Sequence, residues 1–112
     1  MNDQVEVVRR LFDSYLAQDR DAAEQLIGSE FSFTSPQDDH IDRATYFDTC
    51  FPTASRVRRY ELQRLVATGD DVFVMYEYEL LNGDVHRNTE LLTVRAGQVV
   101  EVQVFFGGRY NG

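Results

Sequence analysis

A glutamate and two tyrosines are the first residues whose types and spacing could support chemistry. Tyr76 and Tyr78 stand two positions apart in VFVMYEYEL, and Glu90 lies in the next β-like run of the chain. Alternate side chains of a strand share one face, so these three residues can meet. A carboxyl group among phenols and aliphatic side chains is desolvated, which raises its pKa toward neutrality and suits acid–base work. The alternative is a buried carboxyl satisfied by Tyr76, Asn88 or an arginine.

The segment Asp38, Asp39 and His40 is a second candidate for chemistry. A histidine beside carboxylates can act as a general base, because its unperturbed pKa is about 6.5. We expect this segment at the mouth of a pocket, with His40 or Asp39 as the catalytic partner of Glu90. The alternative is a solvated loop that precedes a capped helix. The spacing matches neither a calcium loop nor a zinc site, so we predict no metal.

The composition removes several kinds of chemistry. All eleven basic residues are arginines, and Cys50 is the single cysteine. Without lysine there is no Schiff-base catalysis, no pyridoxal phosphate linkage and no Walker-type lysine. One cysteine excludes an internal disulfide and multi-cysteine zinc or iron–sulfur sites. We therefore expect no cofactor, and we interpret Cys50 as a small buried hydrophobe.

Charge and length define the class of protein. A net charge of −8 argues against nucleic acid and anionic membrane surfaces as partners. No stretch approaches the roughly 20 apolar residues of a membrane span, and the N-terminus lacks the apolar region of a signal peptide, so we expect a cytoplasmic protein. The length of 112 residues and the apolar fraction of 43% predict one folded domain over residues 1–112.

The first half of the chain is predicted to be mainly helical. Apolar residues recur at i, i+3, i+4 and i+7 over about residues 3–17, which indicates one buried helix face. Asp21 can cap a short second helix that ends near Gly28, and Asp42 can cap a third helix over about 43–51.

The second half is predicted to be a meandering antiparallel sheet. Its strands are expected at about 57–68, 71–81, 85–95 and 98–106, after one earlier strand over 30–34 and a polar loop over 37–40. Helices followed by such a meander are an α+β pattern. A curved sheet folded over helices leaves a cavity between its concave face and the long first helix.

The turn between the second and third strands of the meander decides which side chains face that cavity. A two-residue loop pairs Leu81 with Asp84, whereas a three-residue loop pairs Leu80 with Asp84. We favour the three-residue loop, because it sets Glu77 opposite Arg87 as an attractive pair on the solvent face.

A three-residue loop at this turn, and another at Arg95-Ala96-Gly97, would together determine which side chains face inward. On this basis Val100 also points inward. We predict ligand contacts from the residues on that face, with Glu90 as the acid–base group: Val74, Tyr76, Tyr78, Asn88, Val102, Val104 and Phe106.

The segments FTSPQDDHIDRATYF, VFVMYEYEL and NTELLTVRAGQVVEVQVFFGG resemble the nuclear transport factor 2-like superfamily, and within it the SnoaL-like and ketosteroid isomerase-like proteins. The resemblance spans nearly the whole chain. It implies a cone-like α+β fold, with three N-terminal helices packed on a strongly curved, mostly antiparallel sheet that encloses a pocket. It also implies a homodimer formed through the outer surface of the sheet.

The resemblance can be carried over to three positions. The protonated acid of ketosteroid isomerase falls on Glu90, its first-helix tyrosine on Leu11, and its aspartate base on Ser35, which would border the pocket. Two of the three functional groups are therefore missing, and steroid isomerase activity is not expected. The remaining hypotheses are an acid–base enzyme of isomerase, cyclase or hydrolase type, a non-catalytic pocket for a small apolar or amphipathic molecule, and a dimerisation module.

Overall fold

The computed structural model describes residues 3–109, which form three α-helices and a six-stranded sheet. The helices are α1 (Asp3–Ala17), α2 (Arg20–Leu26) and α3 (Arg43–Thr49), followed by a 3₁₀ helix (Phe51–Arg56). The strands are β1 (Ile27–Ser35), β2 (Asp38–Asp42), β3 (Val57–Thr68), β4 (Asp71–Leu80), β5 (Val85–Arg95) and β6 (Gln98–Arg109).

The strand order is β2-β1-β6-β5-β4-β3, and β1 and β6 are the parallel pair in an otherwise antiparallel sheet. The helices pack on one face of this sheet. The α+β class and the mostly antiparallel architecture are therefore confirmed.

Helix α1 forms because its apolar residues follow the helical period. Val7, Val8, Leu11 and Phe12 are buried and join the sheet residues Val72, Val94 and Val99 in one core. Burial of this stripe against the concave face holds the helix across the sheet. Among residues 3–109, no helix is long and apolar enough to cross a bilayer.

The helix caps agree with the prediction in one case and differ in the other. Asp42 caps α3, with its carboxylate accepting a hydrogen bond from the Thr45 amide at 2.9 Å. The cap of α2 is Asp19, whose carboxylate accepts from the Ala22 amide at 3.2 Å. Asp21 lies inside the first turn instead. The prediction of Asp21 as the cap was wrong because two aspartates at this helix start differ by only half a turn.

The polar segment predicted as a loop is partly strand β2. Ser32 pairs with Asp42, and Phe33 pairs with Ile41, along the free edge of β1. Strand β1 itself is longer than predicted, running from Ile27 to Ser35. Pairing with an available edge outweighs the low β-propensity of aspartate, which is why composition alone was misleading here.

The β4–β5 turn has the predicted three-residue form. The Leu80 amide donates to the Asp84 carbonyl at 2.9 Å, and Gly83 has a φ of +94°. Gly83 is the residue that tolerates this left-handed conformation without strain. As a consequence Glu77 lies opposite Arg87, as predicted.

The β5–β6 turn differs from the prediction. Ala96 and Gly97 both have positive φ, at 52° and 76°, and form a two-residue loop in which Val94 pairs with Val99. A register shift follows at once and leaves Val100 as the extra residue of a bulge. Val99, not Val100, is therefore fully buried.

The bulge restores the predicted parity further along β6. Val102 pairs with Leu92, and Val104 pairs with Glu90. Both valines are buried on the concave face. Beyond the bulge, the β6 residues that face inward are therefore the predicted ones. Each of them pairs with a β5 residue two positions away from the expected partner.

Candidate functional site

A cavity of about 800 Å³ lies between the concave face of the sheet and the helices. Its walls come from α1, α3, the 3₁₀ helix and all six strands, with β2 contributing its first residue, Asp38. Most of the predicted ligand-binding residues line it, together with Glu90: Ser35, Tyr76, Tyr78, Asn88, Val102, Val104 and Phe106. Phe106 is half exposed, whereas Tyr76 and Asn88 are buried.

Val74 does not line the cavity, so this part of the prediction was wrong. It shares the inward face and pairs with Glu90 across β4 and β5, but its exposed fraction is 0%. The side chain is covered by the hydrophobic core. Strand parity predicts the face of a sheet, and it does not distinguish the packed part of that face from the open part.

Asp39 and His40 also lie outside the cavity lining. Their side chains are 91% and 67% exposed, and His40 Nδ1 lies 2.6 Å from an Asp39 carboxylate oxygen. His40 has a φ of 49°, which interrupts the regular alternation of β2. Asp38, the first residue of the segment, is the one that borders the cavity. The expected meeting of Asp39 and His40 with Glu90 therefore does not occur.

Glu90 is held by a short chain of hydrogen bonds across β4 and β5. The Tyr76 hydroxyl donates to Glu90 Oε2 at 2.5 Å, and Asn88 Nδ2 donates to the Tyr76 oxygen at 3.2 Å. Tyr76 and Asn88 are directly opposite each other in the ladder, and Glu90 is two residues further along β5. This register places all three side chains on the concave face.

Burial raises the pKa of Glu90 from 4.5 to about 7, and the hydrogen bond from Tyr76 opposes this rise. The side chain keeps a moderate exposed fraction because it borders the cavity, while the protein packed around it excludes bulk water. Loss of hydration penalises the charged form of a carboxyl group more than one phenolic hydrogen bond stabilises it. Glu90 therefore populates both protonation states near neutral pH.

Three further tyrosines, which the sequence interpretation did not include, line the same cavity: Tyr15, Tyr46 and Tyr60. The Tyr15 hydroxyl lies 2.5 Å from Thr53 Oγ1, and Thr53 Oγ1 donates to the Cys50 carbonyl at 2.6 Å. The Thr53 proton is thus already used, so Tyr15 is the donor of that pair. Tyr15 could have been found from its position four residues after Leu11 on the apolar face of α1.

Further polar side chains border the cavity. Asp38, Arg56 and His86 border it, and the His86 ring stacks on Tyr78 at a centroid distance of 5.3 Å. Cys50 also borders the cavity and is half-buried, not fully buried as predicted. Burial raises the pKa of its thiol, which disfavours the nucleophilic thiolate.

Within residues 3–109, no three histidine, cysteine, aspartate or glutamate side chains come together as metal ligands would. The polar groups of the cavity are instead suited to hydrogen bonding and proton transfer. Glu90 and Tyr76 form the inner pair, and the other phenols and Asn88 surround them. Leu11, at the position of the first-helix tyrosine, contributes a hydrocarbon wall.

Comparisons with known proteins agree with this architecture. The SnoaL-like domain model matches residues 8–102. A solved nuclear transport factor 2-like protein of unknown function from Mesorhizobium loti is 23% identical, with a TM-score of 0.80 over 96% of this chain and 93% of that one.

A Kribbella flavida protein provisionally assigned as a ketosteroid isomerase is 20% identical, with a TM-score of 0.80 over 100% of this chain and 83% of that one. A search of curated proteins found no significant match. At these identities the solved structures establish the fold, and the domain model establishes the family. The chain belongs to the SnoaL-like family and has the nuclear transport factor 2-like fold.

Proposed function

We propose that the chain binds a small, largely apolar molecule in the cavity and that Glu90 exchanges a proton with it. The observation that carries this proposal is the Glu90 carboxyl group. It borders the cavity, is held by one phenol, and has a pKa raised to about 7 by burial. Groups tuned in this way are typical of functional sites.

The walls of the cavity support an apolar occupant. Leu11, Phe12, Leu92, Val102 and Val104 provide hydrocarbon surface on both sides of Glu90. Known small-molecule sites have volumes of about 300–1,000 Å³ and combine such surface with a few polar anchors. The volume of about 800 Å³ lies within that range.

The inner hydrogen bonds support proton exchange in both directions. Protonated Glu90 can donate to an oxygen of the bound molecule, and ionised Glu90 can take a proton from it. Burial and the nearby Glu90 charge raise the pKa of Tyr76 well above its usual 10, so Tyr76 stays a hydrogen-bond donor to the carboxylate. Isomerisation, ring closure and hydrolysis all use such a group. The provisional assignment of the Kribbella flavida relative is compatible with this class, although Leu11 and Ser35 replace two of the isomerase groups.

The test uses 2-acetylnaphthalene, an apolar ketone with exchangeable protons beside its carbonyl group. Binding is followed by NMR shifts of cavity residues, and deuterium uptake from D₂O measures proton exchange. We expect wild-type protein to bind the ketone and to accelerate exchange, with a rate that rises through about pH 7 as Glu90 ionises.

Two variants separate the role of Glu90 from general effects. Glu90→Gln should bind the ketone but lose the acceleration, whereas Glu77→Gln, on the outer face of the neighbouring strand, should keep it. Binding by the wild-type protein with no acceleration would leave a non-catalytic binding protein. Absence of binding in the cavity would overturn the proposal.

We also propose a homodimer formed through the outer face of the sheet. Val66, Phe73 and Phe105 are large apolar side chains exposed on that face, on strands β3, β4 and β6. Val66 and Phe73 are paired across β3 and β4, and Phe105 lies two strands away on the same face. Exposed apolar side chains grouped on a sheet are typical of association surfaces, and a twofold dimer is the commonest way to cover them.

Sedimentation velocity tests the dimer. Wild-type protein should sediment as a dimer at micromolar concentration, and the double variant Phe73→Ser with Phe105→Ser should sediment as a monomer. Leu81→Ser is the control, because Leu81 is at least as exposed as Phe73 and Phe105 but lies at the β4–β5 turn. A wild-type monomer at high concentration would refute the dimer.

A further inference from the structure

Tyr46 has a hydroxyl group that the folded protein does not use. The residue lies on α3, is 7% exposed, and borders the cavity. Across residues 3–109 its hydroxyl has no hydrogen-bond partner. We propose that Tyr46 determines the specificity of the cavity by donating a hydrogen bond to an acceptor oxygen of the occupant. This inference rests on the proposed binding function.

The surroundings of Tyr46 explain why the acceptor must come from the cavity. Its ring packs against Phe31 and Phe33, with centroid distances of 5.1 and 5.3 Å, and also meets Phe47 and Phe51. Aromatic rings of this kind offer no conventional acceptor. The Tyr46 oxygen is not one of the fully enclosed polar atoms that lack a partner, so it is open to the cavity. A phenylalanine would supply the same ring without a hydrogen-bond donor at this place.

Two of the four other tyrosines that line the cavity have hydrogen-bond partners inside the protein. Tyr76 donates to Glu90, and Tyr15 donates to Thr53. Tyr60 and Tyr78 are only partly buried. Of the two buried tyrosines in residues 3–109, Tyr76 is bonded to Glu90, and Tyr46 leaves its hydroxyl for a molecule that enters the cavity.

Tyr46 and Glu90 together define the chemistry of that molecule. Burial raises the pKa of Tyr46 well above its usual 10, and the negative charge of Glu90 adds to the rise. Desolvation is the larger cause, and it keeps the phenol protonated as a donor. A partly ionised carboxyl nearby and a net charge of −8 disfavour an anion. The expected occupant is a neutral apolar molecule that carries a carbonyl or ether oxygen.

The test compares two probes of nearly the same shape, 2-acetylnaphthalene and 2-ethylnaphthalene, which differ in the carbonyl oxygen. Dissociation constants are measured by NMR titration for the wild-type protein and for Tyr46→Phe. We expect the substitution to weaken ketone binding about two- to tenfold, the range for one neutral hydrogen bond, and to leave hydrocarbon binding unchanged.

Ser14→Ala is the control, because it removes a buried hydroxyl that does not line the cavity and whose hydrogen bond to the Leu11 carbonyl is internal. The ratio of ketone to hydrocarbon affinity should change only in Tyr46→Phe. If both probes bind and this ratio is the same in Tyr46→Phe as in the wild-type protein, the role of Tyr46 is refuted while the binding function stands. If neither probe enters the cavity of the wild-type protein, both proposals are overturned.

Discussion

Glu77 and Glu90 lie on neighbouring strands of one sheet, but on opposite faces. Glu77, on the outer face, has a side chain 12% exposed and accepts from Arg59 at 3.2 Å, with Arg87 at 3.7 Å on its other oxygen. Glu90, on the concave face, has the neutral phenol of Tyr76 as its hydrogen-bond donor within the described residues. Both carboxyl groups have lost most of their contact with water, and among residues 3–109 only the outer one has cationic partners.

The comparison teaches that low exposure alone does not mark a functional carboxyl. Arginines on both sides of Glu77 balance its charge, which is how stable sheets hold partly buried acids. The Tyr76 hydrogen bond does not offset the desolvation of Glu90. An acid left without a cation beside an open cavity is the pattern expected of a proton-exchanging group. Substitutions on the two faces should therefore differ in the size and the sign of their effects.

The largest expected effect compares adjacent leucines on β5. Leu92 faces inward and is 1% exposed, whereas Leu91 faces outward and is partly exposed. Leu92→Ala should lower the free energy of unfolding by about 3–5 kcal/mol, and Leu91→Ala by about 1 kcal/mol or less. Urea denaturation of both variants provides the measurement. Equal losses would mean that the two faces are packed equally and that the strand parity is misassigned.

A second large effect is expected from Glu90→Gln, and its sign depends on pH. Folding raises the pKa of Glu90 from 4.5 to about 7, so the folded protein binds more protons than the unfolded chain between these values. The contribution of Glu90 to stability is therefore greatest below pH 4.5 and is lost as the pH rises through about 7. Each pH unit of pKa change is worth about 1.4 kcal/mol, so the wild-type protein should be about 3 kcal/mol less stable than the variant at pH 8.5.

Denaturation curves at pH 4 and pH 8.5 measure this difference. The two proteins should have nearly equal stability at pH 4, and the variant should be the more stable one at pH 8.5. A variant less stable than the wild-type protein at pH 8.5 would show that the Glu90 carboxylate is stabilised by its surroundings, as Glu77 is.

A smaller loss in the free energy of unfolding is expected from Tyr15→Phe. The substitution removes the hydrogen bond that ties α1 to Thr53 at the start of the 3₁₀ helix. The loss should be about 1 kcal/mol, because a neutral hydrogen bond contributes roughly 0.5–1.5 kcal/mol net. Thermal or urea denaturation measures it, with Thr53→Val as a partner in a double-mutant cycle. Strictly additive effects of the two substitutions would contradict a direct interaction.

The smallest effect is expected from Glu77→Gln. Its arginine partners remain partly exposed, so each ion pair contributes little, and we expect a loss of about 0.5–1 kcal/mol at pH 8.5. The sign is opposite to that of Glu90→Gln under the same conditions. Raising the salt concentration to 1 M should reduce the loss. A gain in stability would show that the arginines do not stabilise the Glu77 carboxylate, and that Glu77 and Glu90 do not differ in this respect.

The fold and the position of Glu90 could be predicted from the sequence because they depend on regular periods. Alternation along β4 and β5, together with the turn at Gly83, places Tyr76, Asn88 and Glu90 on one face. Local hydrogen bonds and the pleat determine these relations, so short stretches of sequence carry them.

Tyr60 shows why the rest of the cavity could not be predicted in this way. If side chains alternated without a break along β3 from the β3–β4 turn back to Tyr60, the Tyr60 side chain would point outward. The register shifts between Leu62 and Arg64, so Gln63 is the extra residue of a bulge and Tyr60 comes opposite Tyr78 on the inward face. One inserted residue exchanges the inward and outward faces for every residue of the strand beyond it. The position of that residue depends on the curvature of the whole sheet.

The residues at the cavity mouth were mispredicted for a related reason. Asp39 and His40 were assigned by their distance along the chain from Ser35, and the pairing of β2 with β1 turns them to solvent. Val74 was assigned by parity, and the core covers it. Both outcomes depend on long-range packing, which short patterns do not contain.

The most direct test of the role of Glu90 is its ionisation in the folded protein. Carboxyl-detected NMR titration of the wild-type protein, with Glu90→Gln to assign the resonance, measures the pKa of this one group. We predict a value of about 7, caused by desolvation in the cavity. A value at or below 4.5 would show that Glu90 is hydrated or paired with a cation, and would contradict its proposed role in proton exchange.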